Sequence, residues 1–325
     1  MSAPPIGMKD HNFNGIAAMN PKLGNKVINR MGYGTMRLPG LKGTPEDAAL
    51  AHDLLRESVS LGANVIDTAD IYGAGLANRL IAEALYPYPE NLIIATKVGV
   101  KTGQDGRPVP AATPDEIKAT VERDLVNLGV PALDLVFLRL PGGPLPDSGV
   151  PMHRSLTCLA GLQAEGLVRH IGLSSASTTQ IEAAKSAVAV DAVQNAHFVG
   201  NRDSVTVVQL CHDEGIPFFA YFPLGMGMLI EKKTDLGPMA ASYRASKSQI
   251  ALAWLLALSP MIVPIPGTSN LDHLRENFAA LNLTLSPADV NALSNVAGPC
   301  ELASDGEQEA SIAHSSQTQL PGVVG

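Results

Sequence analysis

Along the chain, short aliphatic runs alternate with stretches in which apolar residues recur every three or four positions, and polar turns separate the two. The aliphatic runs fall near 29–35, 63–66, 91–97, 133–139, 168–173, 190–194, 216–221 and 261–265. Helical patterns follow near 45–61, 75–86, 114–129, 153–165, 178–187, 202–213, 246–258 and 270–280. Alternation of this kind predicts an α/β fold in which a parallel sheet is covered by helices. Eight such units within about 250 residues fit a closed (β/α)8 TIM barrel better than an open sheet. An open doubly wound dinucleotide fold would need G-x-G-x-x-G between a strand and a helix. GYGTMR at 32–37 and GAGLAN at 73–78 both lack the third glycine, which permits close helix–strand packing. One helix start is explicit: Thr113 precedes Pro114, and Asp115 and Glu116 occupy the first turn.

Composition narrows the function classes. With 46% hydrophobic and 17% charged residues the chain is an ordinary globular one, and a single barrel domain over about 26–297 accounts for most of its 325 residues. A net charge of −8 without a Lys/Arg cluster argues against nucleic acid or an anionic membrane as partner. The charge-free stretch 250–271 is broken by Pro260, Pro264, Pro266 and Gly267, so it reads as a helix followed by a buried strand rather than a membrane span. Cys158, Cys211 and Cys300 lack metal-ligand spacing and cannot all pair within one chain. The first fifteen residues lack a basic and an apolar signal region. Both features suggest a reducing, cytoplasmic setting. Three segments fall outside the repeat: 140–151, 223–242 and a tail from Gly298 that carries Glu301, Asp305, Glu307 and Glu309 without a Lys or Arg. The first two follow the fourth and seventh strands, at the rim where barrel active sites form, and the tail is expected either to fold over the mouth as a lid or to be a disordered terminus.

Candidate chemistry sits at strand ends. In VIDTADIYG the inward residue is Asp67, with Tyr72 five residues later on the loop; in IIATKVG it is Lys97. A lone lysine ending an aliphatic strand is costly to bury without an anionic partner, and Asp67 on the neighbouring strand supplies one. An ammonium held there favours the ionised form of a nearby phenol, so Tyr72 becomes a usable proton donor near neutral pH. His170 and His52 fall away from the rim and read as structural, whereas His197 follows the sixth strand where it could touch substrate. No H-x-x-x-H or paired-carboxylate cluster suggests a metal.

With these residues the chain resembles the aldo-keto reductase family, from about Asn29 to Asn277. The match is carried by GYGTMRL, DTADIYG, ATK, GLVRHIGLSS, AVQN, FFAYFPLG and VPIPGTSNLDHLRENF, in order at barrel spacing. NRMGYGTMRLPG and EALYPYPENLIIATKVG look most like its bacterial pyridoxal reductase branch. The resemblance implies a barrel that binds NADPH, with NADH a weaker candidate, and reduces a carbonyl compound, with Asp67, Tyr72 and Lys97 catalytic and Tyr72 the general acid. The family's fourth catalytic residue is a histidine in DLxxxHxP, but residues 134–141 read DLVFLRLP and Arg139 stands in its place. Arg139 is longer and always charged, and is expected to point into the site beside Tyr72 and hydrogen-bond the substrate carbonyl.

For the cofactor, the resemblance implies Ser174, Ser175 and Gln194 against the carboxamide, Tyr221 stacked on the ring, and Leu224 and Gly225 beneath the pyrophosphate. The family's usual asparagine at 175 is serine here. His273 takes the position of a phosphate-gripping arginine, Glu276 and Asn277 match the adenine-binding pair, and Gly34, Thr35, Met36, Asp67 and Phe222 complete the contacts. Read as residues, the Gly267-Thr268-Ser269 turn opens a helix whose N–H groups and hydroxyls suit a phosphate, with Arg275 as a second donor. The expected substrate is a small carbonyl such as pyridoxal, handled by a monomer or weak homo-oligomer. A reductase of bulkier cyclic ketones and a low-turnover NADPH-binding regulatory subunit are the alternatives.

Overall fold

The computed structural model describes residues 20–38, 44–143, 145–227 and 235–296. A hairpin of β1 (Lys22–Leu23) and β2 (Lys26–Val27) comes first and inserts Leu23 and Ile28 into one end of the barrel. After it run β3 (Tyr33–Gly34), α1 (Pro45–Ser60), β4 (Val65–Asp67), α2 (Leu76–Leu85), β5 (Ile93–Thr102), β6 (Pro108–Ala111) and α3 (Pro114–Leu128). β7 (Leu133–Arg139), α4 (Met152–Ala164), β8 (Val168–Ser174), α5 (Thr178–Ala184), β9 (Ala192–Ala196) and α6 (Val205–Glu214) continue the alternation. The last turns comprise β10 (Phe218–Tyr221), α7 (Gly237–Tyr243), α8 (Lys247–Leu258), β11 (Ile262–Pro264), α9 (Leu271–Ala279) and α10 (Pro287–Ser294).

The parallel strands pair in the order β3, β4, β5, β7, β8, β9, β10, β11. The ring closes between its first and last members, where Gly32 N donates to Pro264 O at 3.0 Å and Gly34 N to Pro266 O at 3.2 Å. That seam explains two glycines: a Cβ at Gly34 would lie 2.8 Å from the Ile265 carbonyl oxygen, and one at Gly267 would lie 2.7 Å from that of Gly34. The expected (β/α)8 barrel is therefore the fold.

Strand alternation divides the core into two layers. Val65, Ile93, Ala95, Leu135, Phe137 and Phe219 fill the barrel, with the Phe137 and Phe219 rings edge to face at 5.6 Å. Ile66, Ile94, Val98, Val136 and Leu138 face outward under the helices. Helix starts follow the side-chain chemistry: Thr113 with Glu116, Ser177 with Gln180 and Ser246 with Gln249 each form a capping box.

The departures from the sequence pattern have local causes. β5 extends to Thr102 and folds back on β6 through a turn in which Gly106 takes φ +80°, so the third strand carries an antiparallel hairpin that hydrophobic periodicity did not show. α7 and α10 lie outside the eight-unit repeat, and α5 ends at Ala184, short of the expected 187. No described helix is long and apolar enough to cross a membrane. The tail from Gly298, expected as lid or disordered terminus, lies outside the described residues, as does 228–234 of the second rim segment.

Candidate active site

At the C-terminal rim Asp67, the last residue of β4, and Lys97 on β5 both face the barrel interior and are 3% and 8% exposed. Lys97 Nζ donates to Asp67 Oδ1 at 2.6 Å and to the Thr68 carbonyl oxygen at 3.0 Å. Tyr72, on the loop after β4, places its ring with the centroid 5.3 Å from the ammonium, and its phenol hydrogen-bonds it. Burial by itself lowers the Lys97 pKa, but the Asp67 carboxylate and the Tyr72 phenol outweigh it and leave the pKa above its ordinary value. Lys97 is therefore a cation throughout the neutral range. Asp67 is held from its other side by Gln194 Nε2, 2.6 Å from Oδ2.

These groups sit in a cleft of two joined halves, of about 440 and 530 Å³, which share Met36, Asp67, Tyr72, Tyr221, Phe222 and Met226. Around the smaller half lie Lys97, Arg139, Ser174, Ser175, Gln194 and Gly225. The larger is lined by Gly34, Leu224, Gly267, Thr268, Ser269, His273, Glu276 and Asn277. The structure thus brings most of the sequence-selected residues to one cleft; Thr35, His197 and Arg275 do not line it. The Thr35 side chain is fully buried and its hydroxyl donates to the Asp67 carbonyl oxygen at 2.9 Å, so it ties β3 to β4 rather than facing the opening.

Beside Asp67, Lys97 and Tyr72, the buried Ser174 Oγ and Gln194 Oε1 have no hydrogen-bond partner among the described residues. Gln194 already uses its amide nitrogen on Asp67, so its oxygen is oriented and unspent. Unsatisfied buried polar atoms are costly, and a carboxamide placed here would satisfy both. Beside them Ser175 takes φ +60° and its Oγ lies 3.0 Å from Tyr221 Oη, which fixes the tyrosine at the top of the barrel core.

Three details depart from expectation. The start of α9 is already capped: Asn270 Oδ1 accepts from Asp272 N and His273 N at 2.8 and 3.1 Å, so those N–H groups are not free for a phosphate. Arg275 turns to α1 and pairs with Glu57 at 2.8 Å, away from the cleft. His197 does not reach the opening; it stacks on Trp254 at 5.5 Å and meets the Phe218 ring edge to face. Burial lowers its pKa to about 4, which keeps it neutral. Sequence reasoning in turn missed Arg37 and Lys247, two cations lining the larger half. Lys247 was recoverable, since it follows the capping residue Ser246 at the head of an apolar helix.

Arg139 lines the smaller half with Tyr72 and Lys97. Its guanidinium donates through Nη1 to the Leu140 carbonyl oxygen and through Nη2 to that of Gly142 at 3.0 Å. It braces the first rim loop and pairs with no carboxylate among the described residues.

Residues 30–297 match the model of the Aldo/keto reductase family. The chain belongs to the aldo/keto reductase family. It is 44% identical over 279 residues to pyridoxine 4-dehydrogenase of Escherichia coli, covering 84% of this chain and 96% of the relative. An uncharacterized oxidoreductase of Schizosaccharomyces pombe is 38% identical over 291 residues, covering 89% and 92%. Among solved structures, a thermostable aldo-keto reductase bound to epalrestat superposes with TM-score 0.73 at 28% identity, covering 85% of this chain and 98% of that one. An aldo/keto reductase from Klebsiella pneumoniae, crystallised with NADP and acetate, gives TM-score 0.73 at 21% identity and shares the fold over 89% and 99% of the two chains. As a member of the aldo/keto reductase family, the chain is an oxidoreductase of carbonyl compounds.

Proposed function

We propose that this protein reduces a small aldehyde or ketone with NADPH, with Tyr72 as proton donor and pyridoxal as the preferred substrate. The observation that carries the chemistry is the Asp67–Lys97–Tyr72 chain set directly beside the unpartnered Ser174 Oγ and Gln194 Oε1. The pyridoxal assignment draws on the Escherichia coli relative, whose name describes the same alcohol–aldehyde pair in the oxidative direction. Free Cys158 and buried, free Cys211 suit a reducing, cytoplasmic compartment.

Ser174 and Gln194 would hold the carboxamide of a nicotinamide, which when bound would supply the hydride for the carbonyl carbon. Tyr72 Oη then gives its proton to the carbonyl oxygen as negative charge develops there. Lys97 stabilises the phenolate left behind, and Asp67 keeps Lys97 aimed at it. Tyr221 offers an aromatic face at the mouth of the barrel, which would fix the side from which hydride leaves. Loss of reduced-nicotinamide absorbance with pyridoxal, simple aldehydes and cyclic ketones tests the proposal. Pyridoxal should give the highest kcat/KM; a cyclic ketone in first place would reassign the substrate, and binding without turnover of any would make the protein a nucleotide sensor.

Arg37, Lys247 and His273 line the larger half of the cleft, which Lys97 does not, and we assign the 2′-phosphate to this half. The native protein should prefer NADPH to NADH in kcat/KM, and Lys247→Ala or His273→Ala should erode that preference by about tenfold, the scale of one charge-assisted hydrogen bond. Equal kcat/KM for both nucleotides in the native protein would sink the assignment.

Arg139 contributes positive charge to the substrate half while two of its donors are spent on loop carbonyls. Removing a dedicated oxyanion donor costs about 10²–10³ in kcat, so Arg139→Ala should cost less, about tenfold, with NADPH affinity unchanged. An intact kcat with a lowered melting temperature would make it a loop brace only.

A further inference from the structure

The strand alternation that turns Asp67 and Lys97 inward turns their neighbours Thr68 and Thr96 outward, under α2 and α3. There they end a continuous buried chain of hydrogen bonds. Thr68 Oγ1 donates to Asn78 Oδ1 at 2.8 Å, Asn78 Nδ2 donates to Asp124 Oδ1 at 2.6 Å, and Thr96 Oγ1 donates to Asp124 Oδ2 at 2.7 Å. All four residues are fully buried. Lys97 also donates to the carbonyl oxygen of Thr68, so inner and outer networks meet at one peptide. The charges facing Asp124 are Arg123 on its own helix and Asp70 on the loop that carries Tyr72, and these two pair at 2.8 Å. Its neighbours from α2 and β5, Asn78 and Thr96, are uncharged.

We propose that Asp124 is a positioning residue for the Asp67–Lys97–Tyr72 set, holding Thr68 and Thr96 from outside the barrel and with them the two strand ends that aim the catalytic side chains. The assignment rests on Tyr72 as proton donor. Both Asp124 oxygens accept in the structure, an arrangement suited to the carboxylate; protonation turns one oxygen into a donor and forces a bond to reverse or break. Burial raises this carboxyl's pKa from 3.8 to about 7, with Asp70 adding to the shift and Thr96, Arg123 and Asn78 opposing it. Turnover is thereby coupled to a group that never touches substrate.

The test compares the native protein with Asp124→Asn, a permanently neutral side chain of the same shape. At saturating NADPH and pyridoxal, native kcat should rise several-fold as pH increases through about 7, while Asp124→Asn stays at the low-pH level with unchanged NADPH Kd. A second readout is thermal. The raised folded pKa means that this group's contribution to stability is present at acid pH and is lost as pH rises from 3.8 to about 7, so that fall in melting temperature should be absent in Asp124→Asn. Native kcat and native pH profile in Asp124→Asn would overturn the proposal. Should that variant not fold, Thr96→Val against Thr96→Ser decides: Ser keeps the hydroxyl and should keep kcat, Val should lose several-fold, and equal rates overturn the proposal. Tyr72→Phe is assayed alongside. Survival of its turnover would remove the proton donor itself, whereas its loss together with a native-like Asp124→Asn would overturn the Asp124 assignment alone.

Discussion

Tyr72→Phe should lower kcat for carbonyl reduction by about 10²–10⁴-fold, the usual worth of a positioned general acid, and leave NADPH affinity unchanged. Phenylalanine keeps the ring beside the Lys97 ammonium, so the cation–π contact at 5.3 Å and the shape of the cleft survive. What disappears is the oxygen proposed to protonate the substrate. The atoms proposed to receive the carboxamide belong to Ser174 and Gln194 and are untouched. Steady-state turnover together with a fluorescence titration of NADPH separates the two effects. A near-native kcat would remove Tyr72 from the reaction.

Lys97→Met should be worse for the molecule as a whole. Methionine fills the volume but withdraws the donor from Asp67 Oδ1, leaving a carboxylate that is 3% exposed with Gln194 on its other oxygen. Breaking one side of a buried ion pair costs about 3–5 kcal/mol, so the melting temperature should drop by several degrees. The phenolate of Tyr72 would also lose its counter-charge, and kcat should fall by about 10²-fold or more, since the group that stabilises the developing charge is gone. Thermal melts and NADPH titration distinguish a folded, inactive protein from an unfolded one. A variant with native turnover would show that the ammonium is a structural partner of Asp67 alone.

The barrel was legible because its evidence is local and repeated: a buried parallel strand reads as an aliphatic run, and a covering helix reads as a 3.6-residue period. The β5–β6 hairpin escaped because β6 is only four residues with prolines at two of them, and the exposed end of β5 at Lys101 and Thr102 is polar, which offers no period to detect. Among the site residues, Asp67 and Lys97 announced themselves because a charged side chain inside an apolar strand demands a partner. Arg37 and Lys247 did not, since surface cations at helix and strand ends are common and only a shared cleft distinguishes them.

By itself the sequence determined the order of strands and helices, the inward faces that carry Asp67 and Lys97, and the family motifs at the strand ends, all of which depend on residue type and spacing. The tertiary structure decided what depends on direction and distance. It turned Arg275 to Glu57, closed the α9 start on Asn270, buried His197 against Trp254, curled Arg139 on to its own loop, and joined Thr68 to Asp124 across 56 residues of chain. Each of these is a choice among partners that several side chains could reach. The choice is made by packing around a closed barrel, where every rotamer competes with its neighbours for the same space and the same hydrogen bonds.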